Sequence, residues 1–355
     1  MKITDIFNAQ GAVAYIEQRE ATNSIPYMGE AFFPLKRKMG IDLKWIKTRK
    51  GAGVSLAPSN FDALSTIRPR KGFEIAKSEM PFFRESMIVK EQDEMDIMRV
   101  RDMDDPYIDE VLSNIYDDVE ELSEGARINM ERMRMQLLFP ENGNAGISIV
   151  ANGVNYTYNY DPDGTWRLNN YTVLTGTDKW DAPSTADPVK TLETVRNKLR
   201  SMYGAESNVV LMNQNTFNTM TACNALKQRV FPGFDVTKVY VTGEEARVAI
   251  ENAIGVSVVV YDKMFKDESK VTQKFVPDGY VAIHPARQLG SLWRGTTPEE
   301  ADLLGSDSAD VQIVNNGVAI TRVVEPHPVN VNTFASEIVL PSFEAMDECA
   351  CIKVY

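Results

Sequence analysis

Apolar residues recur at Ile108, Val111, Leu112, Ile115, Val119, Leu122, Ala126, Met130, Met133 and Leu137. That spacing keeps one face apolar at the helical period for many turns and predicts a single helix over residues 106–138. Asp105 stands where an N-cap is wanted, and Pro106 suits the first helical position. At 1.5 Å per residue such a helix is about 50 Å long. Its stripe drifts at the 3.6 period and holds no strict heptad, so a helix laid across a sheet is expected in preference to a coiled coil. Gly125 marks an expected weak point or bend.

The pattern before the helix is of another kind. Ile3, Ile6, Phe7, Val13 and Ile16 hint at a short amphipathic helix, and "IPYMGEAFFPLKRK" reads as an extended arm broken by Pro26 and Pro34. "DLKWIKTRK" and "FDALSTIRPRKGFEI" alternate loosely and predict a long two-stranded excursion, which needs another surface to lie on because a hairpin alone is marginal in water. After the helix, "VNYTYNYD" alternates as a strand, "DPDGTW" makes a turn, and the polar "LTGTDKWDAPSTADP" marks a boundary.

Beyond that boundary α and β signals alternate. Asp187-Pro188 opens a helix through "VKTLETVRNKLRSMYG", with Leu192, Val195, Leu199 and Met202 inward and Gly204 closing it. "NVVLM" predicts a strand at 208–212, followed by a helix from about Phe217 to Leu226. "KVYVT" predicts a strand, "GEEARVAIENAIG" a helix, and "VSVVVYD" and "FVPDGYVAIHP" further strands. Together they predict a compact α/β unit around a central sheet. The closing stretch, "VAITRVVEPHPVNVNTFASEIVLPSFEAMDECACIKVY", is strand-like again and is expected to return to the first unit. No repeat of fixed period is present.

Composition changes little in this picture; charge changes more. A chain of 355 residues is expected to hold two or three structural units, and 43% hydrophobic with 25% charged residues is ordinary for a globular protein. The net charge of −12 argues against a general nucleic-acid binder. Yet from Lys44 to Lys77 eight basic residues face only Asp62 and Glu74, whereas Asp104 to Glu124 holds nine acidic residues and no Lys or Arg. The acidic half of the helix is either a solvated face or a landing surface for a basic arm, its own or a neighbour's. The N-terminus has no signal-peptide pattern, and the longest apolar run, "AIGVSVVVY", is too short to span a bilayer, so a cytoplasmic protein is expected.

Candidate chemistry is mostly excluded by spacing. Gly51 and Gly53 in "KTRKGAGVSLAP" lack the third glycine of a dinucleotide loop, since residue 56 is Leu56, and lack the spacing of a P-loop. "DPDGTW" has its glycine two positions early for a calcium loop and no closing glutamate. There is no G-x-S-x-G and no H-E-x-x-H. His284 and His327 read as structural or surface residues. Cys223, Cys349 and Cys351 read as free thiols of a reducing compartment. No catalytic residue, cofactor or metal is expected; the distinctive features are a long arm, a long helix and opposite charges on the two.

These features resemble a known family. "FFPLKRK", "FRESMIVKEQDEMDIMRVRD", "RINMERMRMQLLFPENGNAGISI", "WDAPSTADPVKTLETVRNKL", "VVLMNQNTFNTM" and "FVPDGYVAIHPARQLGSLWRGTTPEE" stand collinearly as in tailed-bacteriophage major capsid proteins of the lambda capsid protein E type, from about residue 5 to the C-terminus. The resemblance implies an α+β, HK97-like fold. Residues 1–33 would be an N-terminal arm, 34–95 an extended β-hairpin E-loop with its flanking strands, and 96–185 a P-domain carrying the spine helix 106–138. Residues 186–308 would be an α/β A-domain, and 309–355 strands returning to the P-domain.

It also implies a structural, non-enzymatic subunit that self-assembles into pentamers and hexamers of an icosahedral head. The shell would enclose double-stranded DNA, touched only non-specifically, and would be built in the host cytoplasm with portal, scaffold or decoration proteins as partners and no membrane. Expected contact residues between subunits are Lys47, Arg49, Lys50, Val54, Leu56, Phe61, Arg68, Arg70 and Lys71 on the arm, and Asp109, Asp117, Asp118 and Glu121 on the helix. The alternatives are an encapsulin-type cellular compartment and a monomeric α/β hydrolase.

Overall fold

The computed structural model describes residues 10, 13–17, 26–47, 74–89, 108–151, 154–305, 309–314, 317–326 and 329–355. In chain order its strands begin with β1 (Leu35–Arg37), β2 (Asp42–Lys47), β3 (Glu74–Glu79) and β4 (Phe82–Val89). After the long helix come β5 (Gly146–Ala151), β6 (Val154–Asn159), β7 (Tyr171–Val173), β8 (Val209–Met212) and β9 (Ser257–Val260). Then follow β10 (Met264–Lys266), β11 (Thr272–Lys274), β12 (Tyr280–His284) and β13 (Ser291–Arg294). The last are β14 (Asp310–Ile313), β15 (Ala319–Pro326), β16 (Val329–Ser342) and β17 (Ala350–Lys353). β2 pairs with β3, as the two-stranded excursion requires; residues 48–73 between them lie outside the described residues.

Contacts divide the chain into two compact units. One comprises Met1–Leu43, Lys77–Arg132 and Ser291–Ser342; the other comprises Lys44–Ala76, Met133–Gly290 and Phe343–Tyr355. The long helix is Ile108–Leu138, and it continues through Gly125 without a break. Of its apolar stripe, Val119, Leu122, Met130, Met133 and Leu137 are buried and Ala126 is half-buried.

In the first unit a six-stranded sheet runs β1-β13-β16-β15-β14, with β4 also paired to β16. β16 is the organiser, antiparallel to β15 over Val329–Ser336, to β4 over Val331–Ile338 and to β13 over Val339–Ser342. A strand paired on both edges cannot slip without breaking two ladders at once. The arm segment around Pro34 is not merely extended: it holds a helical turn, Gly29–Phe32, and then β1 in parallel register with β13.

In the second unit a five-stranded sheet runs β7-β17-β12-β8-β9. β12, the central strand, is buried along its whole length, which is why Tyr280–Ile283 is apolar at every position up to His284. Helix Pro188–Tyr203 starts at Asp187, whose carboxylate accepts from the Lys190 amide at 3.1 Å, and ends at Gly204 with φ +67°. Helix Gly243–Ile254 starts with a reciprocal cap between Thr242 and Glu245. Trp180, Leu192, Leu199, Phe217, Met220 and Ile250 pack with β8, β12 and β17 into one apolar core.

Four expectations need correction. "KVYVT" is not a strand: its burial alternates and Val241 is buried, but the segment joins no ladder among the described residues and serves as the lead-in to the Thr242 helix cap. The helix expected from Phe217 to Leu226 is two, Gln214–Ala222 and Asn224–Val230, separated by the extended backbone of Cys223. The closing segment does not stay together: β14–β16 belong to the first unit, whereas β17 pairs with β12 and β7 in the second. Likewise the unit expected to run to residue 308 ends at Gly290, because β13 pairs with β16.

Candidate assembly surfaces

The acidic half of the long helix has a use that its charge alone did not reveal. The Tyr15 hydroxyl donates to Asp117 Oδ1 at 2.7 Å, the Tyr27 hydroxyl donates to Glu124, and the Gly29 amide donates to Glu131 Oε1 at 2.9 Å. The three carboxylates are seven residues apart, just short of two full turns, so they share one face at intervals of about 10 Å. Arg127 completes the contact: it pairs with Glu124 at 3.3 Å and lies 5.1 Å from the Tyr27 ring centre. Ile16, Tyr27 and Phe33 are buried on the same segment. The N-terminal segment of the chain itself therefore occupies this face, through tyrosine hydroxyls and a backbone amide.

A second feature of this unit is a buried charge cluster on the sheet. Arg294 of β13 donates to Glu300 at 2.6 Å with both side chains almost fully buried. Arg37 of β1 reaches the other oxygen of Glu300, Arg84 of β4 reaches Glu299, and the Ser336 hydroxyl donates to Glu299 at 3.0 Å. Both glutamates sit on a single π-turn, Glu299–Leu303, a rare geometry that brings consecutive carboxylates to the sheet. Asn129 of the long helix donates to Glu337 of β16 at 2.9 Å. Burial pushes the Arg294 pKa down, and the neighbouring Glu300 opposes that shift. Gly317, at φ +91°, leaves room for the Arg294 stem where any Cβ would collide with it.

The expected contact residues fall unevenly. Asp117 is engaged by Tyr15, and Glu121 is exposed. Lys47 ends β2, and Asp109 and Asp118 lie on the helix, with their side chains outside the described residues. Arg49, Lys50, Val54, Leu56, Phe61, Arg68, Arg70 and Lys71 also lie outside the described residues. Sequence reasoning missed Tyr15, Tyr27, Glu131, Arg294, Glu299 and Glu300. One signal was available: Glu131 stands between Met130 and Met133 in the apolar half of the helix, where a carboxylate needs a donor.

The remaining candidates for chemistry are structural. Asp161 accepts from the Trp166 and Arg167 amides at 2.9 and 2.8 Å, and a hydrogen bond from Thr165 helps hold Asp163 at a pKa of about 2. "DPDGTW" is thus a turn that caps the helix Thr165–Asn170. No group of possible metal ligands occurs among the described residues. His284 is buried on β12, with Nδ1 3.0 Å from the Pro285 carbonyl, and burial lowers its pKa to about 4. The three cysteines are free and buried, and burial raises all three thiol pKa values. No helix among the described residues is long and apolar enough to cross a membrane.

Solved structures share this architecture. A candidate prophage capsid protein from E. coli CFT073 matches with a TM-score of 0.62 at 12% identity, covering 98% of this chain and 99% of that one. A phage-related protein from Bordetella bronchiseptica RB50 matches at 0.57 and 13% identity, covering 98% and 97%. The capsid asymmetric unit of cyanophage A-1(L) matches at 0.55 and 12% identity, covering 93% and 92%. The fold is therefore the α+β, HK97-like fold of phage capsid proteins. No curated protein sequence matches this chain. Residues 13–354 match the family described as phage major capsid protein E, and the chain belongs to that family. It is a structural capsid protein.

Proposed function

We propose that this chain is the repeating subunit of an icosahedral phage head, assembling into pentamers and hexamers around double-stranded DNA. The observation that carries the reading is the family match across 13–354, on a chain whose fold resembles capsid proteins over almost its full length. Rings of five or six copies require heterologous contacts that close on themselves. In this reading residues 34–95 are the E-loop and its flanking strands, 106–138 the spine helix, and 186–290 the A-domain near the symmetry axes. Residues 291–342 are strands that complete the P-domain, whereas β17 pairs with β12 and β7 in the sheet of the second unit. The subunit works without catalysis, inside a virion assembled in the host cytoplasm with portal, scaffold or decoration proteins.

The E-loop then lies over a neighbouring copy. Burial of Val54, Leu56, Phe61, Leu64 and Ile67 supplies most of the contact energy, at about 25 cal/mol per Å² of apolar surface. Lys47, Arg49, Lys50, Arg68, Arg70 and Lys71 steer it onto acidic surface. Asp109, Asp118 and exposed Glu121 are the receiving candidates on the helix, and Asp117 already holds Tyr15. Reversing Arg49, Lys50, Arg70 and Lys71 to Glu should leave the far-ultraviolet circular dichroism unchanged and reduce the yield of particles in sedimentation. Particles in normal yield from that variant would refute the steering role.

A further inference from the structure

Between helices Asn224–Val230 and Gly243–Ile254 the second unit carries a loop with two large side chains in solvent: Phe234 is 69% exposed and Tyr240 83% exposed. The loop is held in shape. Asp235 accepts from the Thr237 amide at 3.1 Å and its hydroxyl at 2.7 Å, the Lys238 amide donates to the Asp235 carbonyl at 3.0 Å, and Phe231 meets Phe234 edge-on at 6.3 Å. Buried Val241 and the Thr242 cap anchor its far end. A fixed backbone presenting two exposed aromatics is a preorganised binding surface, since little backbone entropy remains to be lost on contact and each ring has only two rotatable bonds.

Charge indicates what covers it. From Lys227 to Val241 the loop and the end of the helix before it hold Lys227, Arg229 and Lys238 against Asp235; Lys238 pairs with Asp235 at 3.6 Å and Arg229 with Asp187 at 3.3 Å, exposed pairs that leave the rim net basic. The next helix, Gly243–Ile254, exposes Glu244, Glu245 and Glu251 around a single Arg247. Val248 lies four residues after Glu244 and three before Glu251, so it shares their face, and it is 46% exposed. One surface is therefore aromatic with a basic rim and the other apolar with an acidic rim. They are complementary, different, and carried by every copy, which is what a head-to-tail ring contact requires.

We propose that the loop Phe231–Val241 of one copy docks on the exposed face of helix Gly243–Ile254 of the next. Phe234 and Tyr240 cover Val248, and Lys238 faces Glu251. The inference rests on the shell reading above. It is tested with the full chain by sedimentation velocity over a concentration series. Phe234→Ser with Tyr240→Ser should raise the concentration needed for assembly about tenfold or more, with an unchanged thermal unfolding midpoint. Lys238→Glu should weaken assembly, and Lys238→Glu with Glu251→Lys should recover it. A serine double variant that assembles as the wild type does overturns the contact. A charge swap without recovery overturns the helix as the receiving surface. A wild-type chain that stays monomeric at every concentration overturns the shell reading itself, and this contact with it.

Discussion

The two units bury charge differently. The second has an apolar core, built from side chains such as Leu192, Met212, Phe217, Ile250 and Ile283, beside scattered buried polar groups such as Asn213, His284 and Glu348. The first buries charge and polarity beside its apolar residues: Glu131, Arg294, Glu299, Glu300, Arg322, Thr333, Ser336 and Glu337 are all inside. Its bonds also reach far along the chain, with Arg84 meeting Glu299 and Asn129 meeting Glu337. An apolar core tolerates variation in direction, because dispersion and water exclusion are non-directional. A buried ion cluster does not, because each charge needs its partner in place. The first unit therefore has its strand register fixed by charge as well as by burial, with β1, β4 and β13 all joined to one π-turn.

Glu300→Ala breaks this contrast most severely. It leaves the Arg294 and Arg37 guanidinium groups without their shared carboxylate, and a loss of about 3–5 kcal/mol is expected in urea unfolding. Arg294→Met with Glu300→Leu should recover much of it, which a merely misfolded single variant would not. Leu192→Ala should cost about 2–5 kcal/mol in the second unit by opening a cavity, with no comparable recovery from a second change.

Acid sharpens the comparison from the other side. His284 is held at about 4 against an ordinary 6.5, so the unfolded chain takes up its proton first. The stability it contributes is full above about pH 6.5 and is lost as pH falls toward about 4, by up to about 3 kcal/mol. Unfolding midpoints measured between those limits should fall less steeply in His284→Gln. Tyr27→Phe removes one charge-assisted hydrogen bond and should cost about 1–3 kcal/mol. Exchange of the Gly29 amide should speed up with it, if the segment is registered by the helix carboxylates. Smallest is Asp187→Ala, worth about 1 kcal/mol through the lost cap.

The same contrast explains what the chain revealed before its structure was known. The second unit was legible because its signals are local: Asp187-Pro188 and Gly204 bound one helix, and Thr242 with Glu245 opens another. The long helix was legible from its stripe, and its end at Leu138 was read correctly; residues 106 and 107 lie outside the described residues. "KVYVT" misled because alternation records burial on one face and says nothing of whether the backbone pairs with a strand. The tyrosine–carboxylate contacts and the Arg37 and Arg84 arms of the ion cluster were illegible because their partners lie roughly 100 to 260 residues apart, and the Arg294–Glu300 pair, six residues apart, carried no local sign that both would be buried. Net charge along the helix pointed to a charged partner, but the tyrosine hydroxyls and backbone amide that meet Asp117, Glu124 and Glu131 carry no charge to be counted.

The most direct test is electron microscopy of the purified full-length chain, across salt and protein concentration. Closed isometric shells, or rings of five and six copies, are predicted. A population of single chains under every condition would contradict the account.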